Sequence, residues 1–166
     1  MKLRNVLIGC GIVLVVLCIG GGAVLYFGGK AAVNLVTEGP YSIGKRPLPT
    51  GQDASTILPQ TVGAFKRDGD VAQGAATYSD GTSTVAVAMT VAGSAADAQA
   101  AVASAGAATT SENSTNRILI TGIDPSYYKV TVGGASQMTY SRGAYLFNVT
   151  TTSEAALDKF MGAFPY

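Results

Sequence analysis

Few residues of this chain have the chemistry of an active site. The 166-residue sequence contains no His, so Ser-His-Asp catalysis, Cys-His catalysis and His-ligated metal sites are excluded. No G-x-S-x-G motif accompanies the abundant Ser and Thr, and Lys is the only side chain left to act as a base. Asp68-Gly69-Asp70 could supply two oxygens to Ca²⁺, but a calcium site needs about six ligands or more and no spaced acid follows before Asp80. The pattern favours a solvated turn, and we expect no metal and no cofactor.

Paired carboxylates are the other chemistry to consider. A hydrolase of that kind needs one acid in an apolar setting. The acids of the C-terminal part instead lie at predicted turns, helix caps and loops, which fits solvent exposure: Asp68, Asp70, Asp80, Asp97, Glu112, Asp124, Glu154 and Asp158. We therefore expect no catalytic residues and no enzymatic activity, with a hydrolase of unfamiliar type as the remote alternative.

The N-terminal segment carries the strongest single signal in the sequence. No charged residue lies between Arg4 and Lys30, and the run from Val6 to Phe27 is almost wholly apolar. As a helix rising ~1.5 Å per residue it spans roughly 33 Å, enough to cross a bilayer. This predicts a transmembrane signal-anchor helix over residues 6–29, which the sequence allows to continue to 38, with the lipid bilayer as its partner.

The flanks of this segment set its expected orientation. Lys2 and Arg4 precede it, and large downstream domains translocate largely regardless of their charge. We expect residues 1–5 to be cytoplasmic and the C-terminal domain to be extracytoplasmic, so that the protein is a single-pass protein of the cell membrane. Three alternatives stay open: a cleaved secretory signal, a lipoprotein signal ending at the lipobox-like Leu7–Cys10, and a buried soluble helix.

Both cysteines of the chain, Cys10 and Cys18, lie in this apolar segment. Eight positions along a helix separate them by ~12 Å, beyond the reach of a disulfide within one chain. Small apolar helix residues are the simplest interpretation. The sharper one is a helix–helix contact in the membrane, for which Cys18 and Gly22 form the nearest small-xxx-small pair.

Residues 39–56 are rich in Pro and Gly, which excludes a regular helix or a central strand. We interpret them as an extended tether. Tyr41, Ile43 and Leu48 could dock on the following domain, although a plain spacer is the favoured interpretation.

Residues 57–166 change to short alternating segments that predict a folded domain. In Ser83–Val91 the alternate residues Val85, Val87, Met89 and Val91 point one way and the intervening Thr and Ala residues the other, the period of a β-strand. Asp80-Gly81 before it is a type I′ hairpin signal. Ser94 then caps an Ala-rich helix.

The C-terminal part repeats this plan. Thr139–Gly143 matches Thr77–Gly81 at all but one position, a strand follows over Ala144–Thr150, and Ser153 opens a helix whose apolar residues share one face. Arg117–Thr121 and Ser126–Val132 predict two further strands, and residues 104–116 predict a loop. The sum is an α+β fold: an antiparallel sheet of about six strands with two helices on one face, from a strand–turn–strand–helix unit used twice.

Charge and aromatic residues bear on partners. Six basic and eight acidic residues give the domain a formal charge of −2, which predicts no binding to nucleic acid. Tyr127 and Tyr128 are adjacent in a predicted strand, so one should be buried and the other exposed, where it could anchor a protein contact. The equivalent Tyr78 and Tyr140 are expected to be packed rather than to form a ligand cage.

The function that these features favour is a membrane-anchored, extracytoplasmic interaction or accessory module without catalytic activity, such as a small subunit of a membrane complex. The alternative is a binding module that holds a small apolar ligand between the sheet and the first helix.

Overall fold

The computed structural model describes residues 53–109 and 114–166, together with Ile43, Pro47 and Leu48. Within these residues no helix is both long enough and apolar enough to cross a membrane. The predicted N-terminus (1–5) and transmembrane helix (6–29), with Cys18 and Gly22, lie outside the described residues. So does most of the predicted tether, including Tyr41.

The described chain is α+β, as predicted, with eight strands and three helices. The strands are β1 (Thr61–Val62), β2 (Phe65–Arg67), β3 (Ala75–Ser79), β4 (Thr84–Val91), β5 (Ser114–Ile120), β6 (Tyr127–Val132), β7 (Ala135–Arg142) and β8 (Tyr145–Thr151). The helices are α1 (Ala54–Ile57), α2 (Ala95–Ala108) and α3 (Glu154–Ala163). The sequence did not reveal β1 and β2, because two or three residues are too few to show a period of two.

All eight strands form one antiparallel sheet in the order β1-β2-β3-β4-β8-β7-β6-β5. Each half of the chain is a four-stranded meander followed by a long helix, and the halves join where β4 pairs with β8. The predicted strand–turn–strand–helix unit is present twice, as β3-β4-α2 and β7-β8-α3. Ser94 and Ser153 cap the two helices by accepting a hydrogen bond from the backbone N–H of Asp97 and Ala156, respectively.

The strand registers divide the side chains between two faces of the sheet. The first, called here the core face, carries Val87 of β4, Val149 of β8 and Met138 of β7 as direct cross-strand neighbours. These residues belong to the main hydrophobic core. The second, called here the α2 face, carries the alternate residues and a smaller cluster of Val102, Tyr128 and Val130.

The prediction that both helices cover one face was wrong. α3 packs on the core face, where Phe160 lies in the same cluster as Val87, whereas α2 packs on the opposite face through Val102. The physical reason lies in the connections. β4 and β5 point in the same direction and are separated by three strands, so α2 connects them as a crossover helix. Because such crossovers are almost always right-handed, the directions of the two strands fix the face on which α2 lies. α3 follows the last strand, has no such constraint and covers the face that α2 leaves bare.

Side-chain size suits each helix to its face. Phe160 of α3 packs edge-on against Phe65, with ring centroids 5.4 Å apart, and 5.1 Å from Tyr78. Burying such a ring contributes roughly 2–3 kcal/mol. α2 instead buries Ala98, Val102 and Gly106. The small residues of α2 let it lie close to the strands, as the Ala-rich sequence indicates.

The segment predicted as a loop over residues 104–116 is mostly regular structure. α2 continues to Ala108, and β5 begins at Ser114. The Ser and Thr content of this stretch suggested a loop, but tertiary packing overrides such weak local preferences. Arg117 donates to the backbone carbonyl of Gly106 and so ties the end of α2 to β5.

Three described parts of the predicted tether pack on the domain. Ile43 is fully buried in the main core, Leu48 lies against it, and Ala54 begins the short helix α1. The folded domain therefore draws on residues that precede position 57.

Candidate functional site

Among the residues that the structure describes, the most buried charged group is Lys129, at the middle of β6 on the core face. Its Nζ lies 2.8 Å from Glu154 Oε1 and 2.9 Å from Asp158 Oδ1, while its own side chain is only 6% exposed. The two acids are one turn apart on α3, and Glu154 also accepts a hydrogen bond from Asn116 of β5. The cluster thus ties α3 to the two strands at the far end of the sheet.

The electrostatics of this cluster are those of a stable ion pair. Burial opposes the charge of Lys129, but the hydrogen bonds that Lys129 donates to Glu154 and Asp158 outweigh this effect and raise the lysine pKa. The hydrogen bond from Lys129, aided by Asn116, lowers the pKa of Glu154. A base or nucleophile would need the lysine pKa to fall instead. The arrangement is therefore suited to holding α3 in place.

Sequence reasoning missed Lys129, although a signal for it exists. The alternation of β6 places Lys129 on the same face as Tyr127 and Thr131, and Glu154 and Asp158 have the i, i+4 spacing of one helix face. The missing information was which helix faces which strand, and that depends on the topology.

A second ion pair joins the β3–β4 hairpin to α3. Lys159 Nζ lies 2.7 Å from Asp80 Oδ2 and 5.3 Å from the centroid of the Phe65 ring. Asp80 also accepts hydrogen bonds from the N–H groups of Thr82 and Ser83, and these contacts lower its pKa to about 2. The predicted hairpin is present, but only Gly81 has a positive φ, so it is not the type I′ turn that the Asp-Gly pair indicated.

Tyr127 and Tyr128, the predicted interaction residues, are both buried. Tyr127 is 2% exposed in the main core, and Tyr128 is fully enclosed in the cluster beneath α2. The exposure expected of one ring is not observed, because the helices lie on opposite faces and both faces of β6 are covered. Neither ring is at the surface.

The acids proposed for Ca²⁺ lie in a turn. Asp68 and Asp70 are exposed on either side of Gly69, whose φ of +78° is that of a tight turn. Across the residues that the structure describes, no three His, Cys, Asp or Glu side chains come together in a way that could hold a metal ion.

One surface stands out for its lack of charge. α2 packs on β6, β7 and β8, and the α2 face of β3 and β4 is exposed. Its exposed residues, called here the open face, are all Ala or Thr: Ala75, Thr77, Thr84, Ala86, Ala88, Thr90 and Thr150. The sequence signal for it is the alternation of Ala and Thr with buried Val in β4.

A pocket lies on the α2 face at the end of the sheet where the β6–β7 hairpin turns. Its volume is about 150 Å³, and it is lined by Val130, Val132, Ala135, Ser136, Gln137, Thr150 and Thr151. A shallower depression over Thr84 and Ala86 shares Thr150 and Thr151 with it. The pocket is beside α2. Beneath the helix, where the apolar ligand was predicted, a Cβ added at Gly106 would lie 2.8 Å from Leu119 Cδ1, so helix and strand are in direct contact there.

Comparison with known proteins finds no matching family model and no matching curated protein.

Proposed function

We propose that this protein is a membrane-anchored interaction module without catalytic activity, whose extracytoplasmic domain contacts a protein partner through the open face. The anchor is the apolar segment 6–29. The partner is another protein in or outside the membrane, so that the chain serves as a small accessory subunit of a membrane complex.

The observation that carries the proposal is the composition of the open face. Along a strand with one solvated side, buried apolar residues ordinarily alternate with exposed polar ones. Charged side chains on the exposed side keep such surfaces from associating. On the α2 face the exposed residues of β3 and β4 are all Ala or Thr, and Thr150 continues the surface on β8, whereas the exposed Val91 of β4 belongs to the opposite face. Depletion of charge is one compositional mark of the centre of a protein interface; enrichment in aromatic residues, Met and Arg is the other, and the residues of the open face do not have it.

Short side chains favour a flat partner. Ala has no rotamer freedom to lose on binding and Thr has little, so contact with this surface carries a small entropic cost. A sheet or a helix of the partner could approach the strands closely because no long side chain projects between them.

Charge argues for a protein and against nucleic acid or anionic lipid headgroups as the contact of the domain. Its formal charge is −2, and the residues of the open face include no Lys or Arg, although Lys66 of β2 borders that face next to Ser79; one cation is too few to neutralise several phosphates. The bilayer is then contacted by the anchor alone.

Photo-crosslinking in cells that contain the full chain tests the surface. The photoreactive residue p-benzoylphenylalanine is placed at Ala86 or Ala88 on the open face and, as a matched control, at Ala155, an exposed residue of α3 on the opposite side of the sheet. We expect one discrete adduct from both open-face positions and none from Ala155. A further Thr77→Lys substitution should reduce the adduct severalfold, since it places a charge on the surface.

Two outcomes would contradict the proposal. Equal labelling from Ala155 and Ala88 would mean that the open face has no specific partner. Recovery of the monomer alone from a mild-detergent pull-down, together with release of the full chain from membranes by alkaline carbonate, would remove the membrane-complex assignment.

A further inference from the structure

We infer that the partner at the open face is a second copy of this chain, and that α2 of each copy lies against the sheet of the other. This inference rests on the proposed function, because it names the protein that the open face contacts. Three observations carry it: the outer side of α2, an uncovered row of the sheet beside α2, and the area that the two can bury together.

The outer side of α2 differs from that of an ordinary surface helix. The side toward the sheet buries Ala98, Val102 and Gly106. The exposed positions on the other side lie three or four residues apart and are all Ala or Ser: Ala96, Ala100, Ser104 and Ala107. The one charged residue of α2 is Asp97, in its first turn. A helix without a charged side is normally buried on all sides, so the outer side of α2 is suited to a further contact.

α2 covers only part of the sheet face on which it lies. Tyr128 and Thr139, direct neighbours across β6 and β7, are buried on this face. Two positions further along the strands, the next row crosses five strands. By register this row is Thr77, Ala86, Thr150, Gln137 and Val130. Its residues in β3, β4 and β8 are exposed, and its residue in β7 is half-buried, so α2 leaves most of the row uncovered.

This row forms a trough beside α2. The pocket of about 150 Å³ and the depression over Thr84 and Ala86 meet at Thr150 and Thr151, and together they are its floor. No charged side chain lines either of them. From β3 to β6 the trough crosses four strand spacings, ~19 Å in all. A helix of 14 residues, the length of α2, is ~21 Å long, so the trough has the length of one such helix.

A two-fold axis lets each copy supply the helix and the trough at the same time. Two-fold contacts are the commonest in homo-oligomers, and they require a surface that matches itself. With the axis along the trough, α2 of each copy lies beside α2 of the other, between the two sheets. Both the outer side of α2 and the floor of the trough are uncharged, so no like charges oppose the contact.

The charges at the border of the trough also match. Lys66 of β2 lies next to Ser79, just beyond the β3 end of the trough. Asp97 lies near the same end, because a Cβ at Gly93, which follows β4, would be 3.1 Å from Asp97 Oδ2. An axis along the trough keeps the same ends together, so Asp97 of one copy approaches the end that carries Lys66 of the other.

The area indicates where this dimer forms. A trough ~19 Å long that receives a helix ~10 Å wide has a footprint of about 190 Å². Counted on both surfaces of both contacts this gives about 800 Å², to which the rest of the open face adds. A stable complex in solution usually buries about 1,200 Å² or more. We therefore expect a weak dimer in solution and a stable one where the anchors confine both copies to one bilayer and raise their effective concentration.

Cysteine cross-linking between two differently tagged full-length copies, in membranes of the cells that make them, tests this arrangement. Both copies carry Cys10→Ala and Cys18→Ala, so that only introduced thiols react. One copy carries Ala96→Cys on the outer side of α2, and the other carries Thr150→Cys in the trough. With a short bis-maleimide we expect a mixed dimer, because the axis brings the first turn of α2 to the β8 part of the trough.

Matched variants separate this contact from random collision. Ala155→Cys, on the exposed side of α3, replaces Ala96→Cys and should give at least tenfold less mixed dimer. Ala107→Cys, on the outer side of α2 but at its other end, should give at least fivefold less. Ala100→Lys in both copies places a charge in the contact and should reduce the link between positions 96 and 150 severalfold, whereas Ala155→Lys should leave it unchanged.

Photo-crosslinking from Ala86 distinguishes failure of this inference from failure of the proposed function. We expect an adduct with the mass of two copies. A discrete adduct with a different protein, without the mixed dimer, would overturn the second copy as partner and leave the open face as an interaction surface. The absence of any adduct would remove both. A mixed dimer that is as abundant with Ala155→Cys as with Ala96→Cys, or that Ala100→Lys leaves unchanged, would also overturn the inference.

Discussion

Tyr78 and Tyr140 occupy equivalent positions in the two halves of the chain, and each donates its phenol proton to a backbone carbonyl from outside its own unit. Tyr78 Oη lies 2.9 Å from the carbonyl oxygen of Pro59, and Tyr140 Oη lies 3.2 Å from that of Tyr166. Both side chains are fully buried on the core face. The two tyrosines thus fasten the segments before and after the sheet to its core, which agrees with their expected packing role.

Tyr78→Phe should remove part of the loss of stability at high pH. Burial raises the pKa of Tyr78 to about 12, against the lowering effect of Arg67. A tyrosine whose pKa is raised on folding contributes its full stabilisation at any pH below its unfolded pKa of about 10. This contribution is lost as the pH rises from about 10 toward 12. In urea unfolding between pH 9 and 12, the free energy of unfolding should fall less steeply for the variant than for the unsubstituted chain. At neutral pH the variant should be less stable by about 1 kcal/mol, because the hydrogen bond to Pro59 is lost. An unchanged slope would contradict this.

Removing the negative charges of the ion cluster at Lys129 should destabilise the protein more than removing its positive charge. Glu154→Gln with Asp158→Asn leaves a buried ammonium without charge partners and should lower the free energy of unfolding by about 2 kcal/mol, less than for a fully buried pair because both acids are partly exposed. Lys129→Met removes the buried charge itself, keeps the side-chain length and should cost less, about 1 kcal/mol. Urea unfolding at neutral pH measures both. The reverse order would mean that the lysine is effectively solvated.

Stability should fall in acid in a window set by Asp80 and Glu154. The pKa of Asp80 is lowered to about 2, chiefly by the hydrogen bond from Lys159, and that of Glu154 is lowered chiefly by Lys129. Groups with a lowered pKa stabilise the fold above their unfolded values, near 4, and the contribution is lost as pH falls toward the folded value. The free energy of unfolding should therefore fall from about pH 4 down to pH 2, and Asp80→Asn should make this fall less steep. If the free energy of unfolding of Asp80→Asn fell between pH 4 and pH 2 as steeply as that of the unsubstituted chain, the role assigned to Asp80 would be contradicted.

Two glycines with nearly the same φ should differ in their tolerance of Ala. Gly69 and Gly74 have φ values of +78° and +79°. A Cβ at Gly74 would lie 2.4 Å from the carbonyl oxygen of Met89, whereas nothing lies within 4 Å of one at Gly69. Gly69→Ala should therefore cost only the conformational strain, about 1 kcal/mol, and Gly74→Ala clearly more, because backbone must move. Thermal unfolding of the two variants compares them directly, and equal losses would show that the carbonyl yields easily.

Local features of this fold could be predicted from the sequence, and long-range ones could not. The alternation of Val85 and Val87 and the caps at Ser94 and Ser153 require only neighbouring residues, and all are confirmed. The exposure of Tyr128 could not be predicted, because it depends on a helix that crosses three strands to reach the far edge of the sheet.

The same limit applies to the surfaces. The Ala and Thr residues of β4 are evident in the sequence, but their joining with Thr77 and Thr150 into one uncharged area depends on strand pairing. The pocket likewise combines β6, β7 and β8, and Thr150 reaches it only because β8 returns to pair with β7.

The pairing of β4 with β8 has a consequence for the order in which the protein folds. β8 is the last strand of the chain, yet it occupies a central place in the sheet, and its Thr151 hydroxyl donates to the carbonyl of Thr84, 67 positions earlier. Both meanders can form early from local contacts, but their joining must wait until the final residues are available. A chain cut after Arg142 would lack the seam between its halves, and its two separate sheets would each be left with an unmatched inner edge.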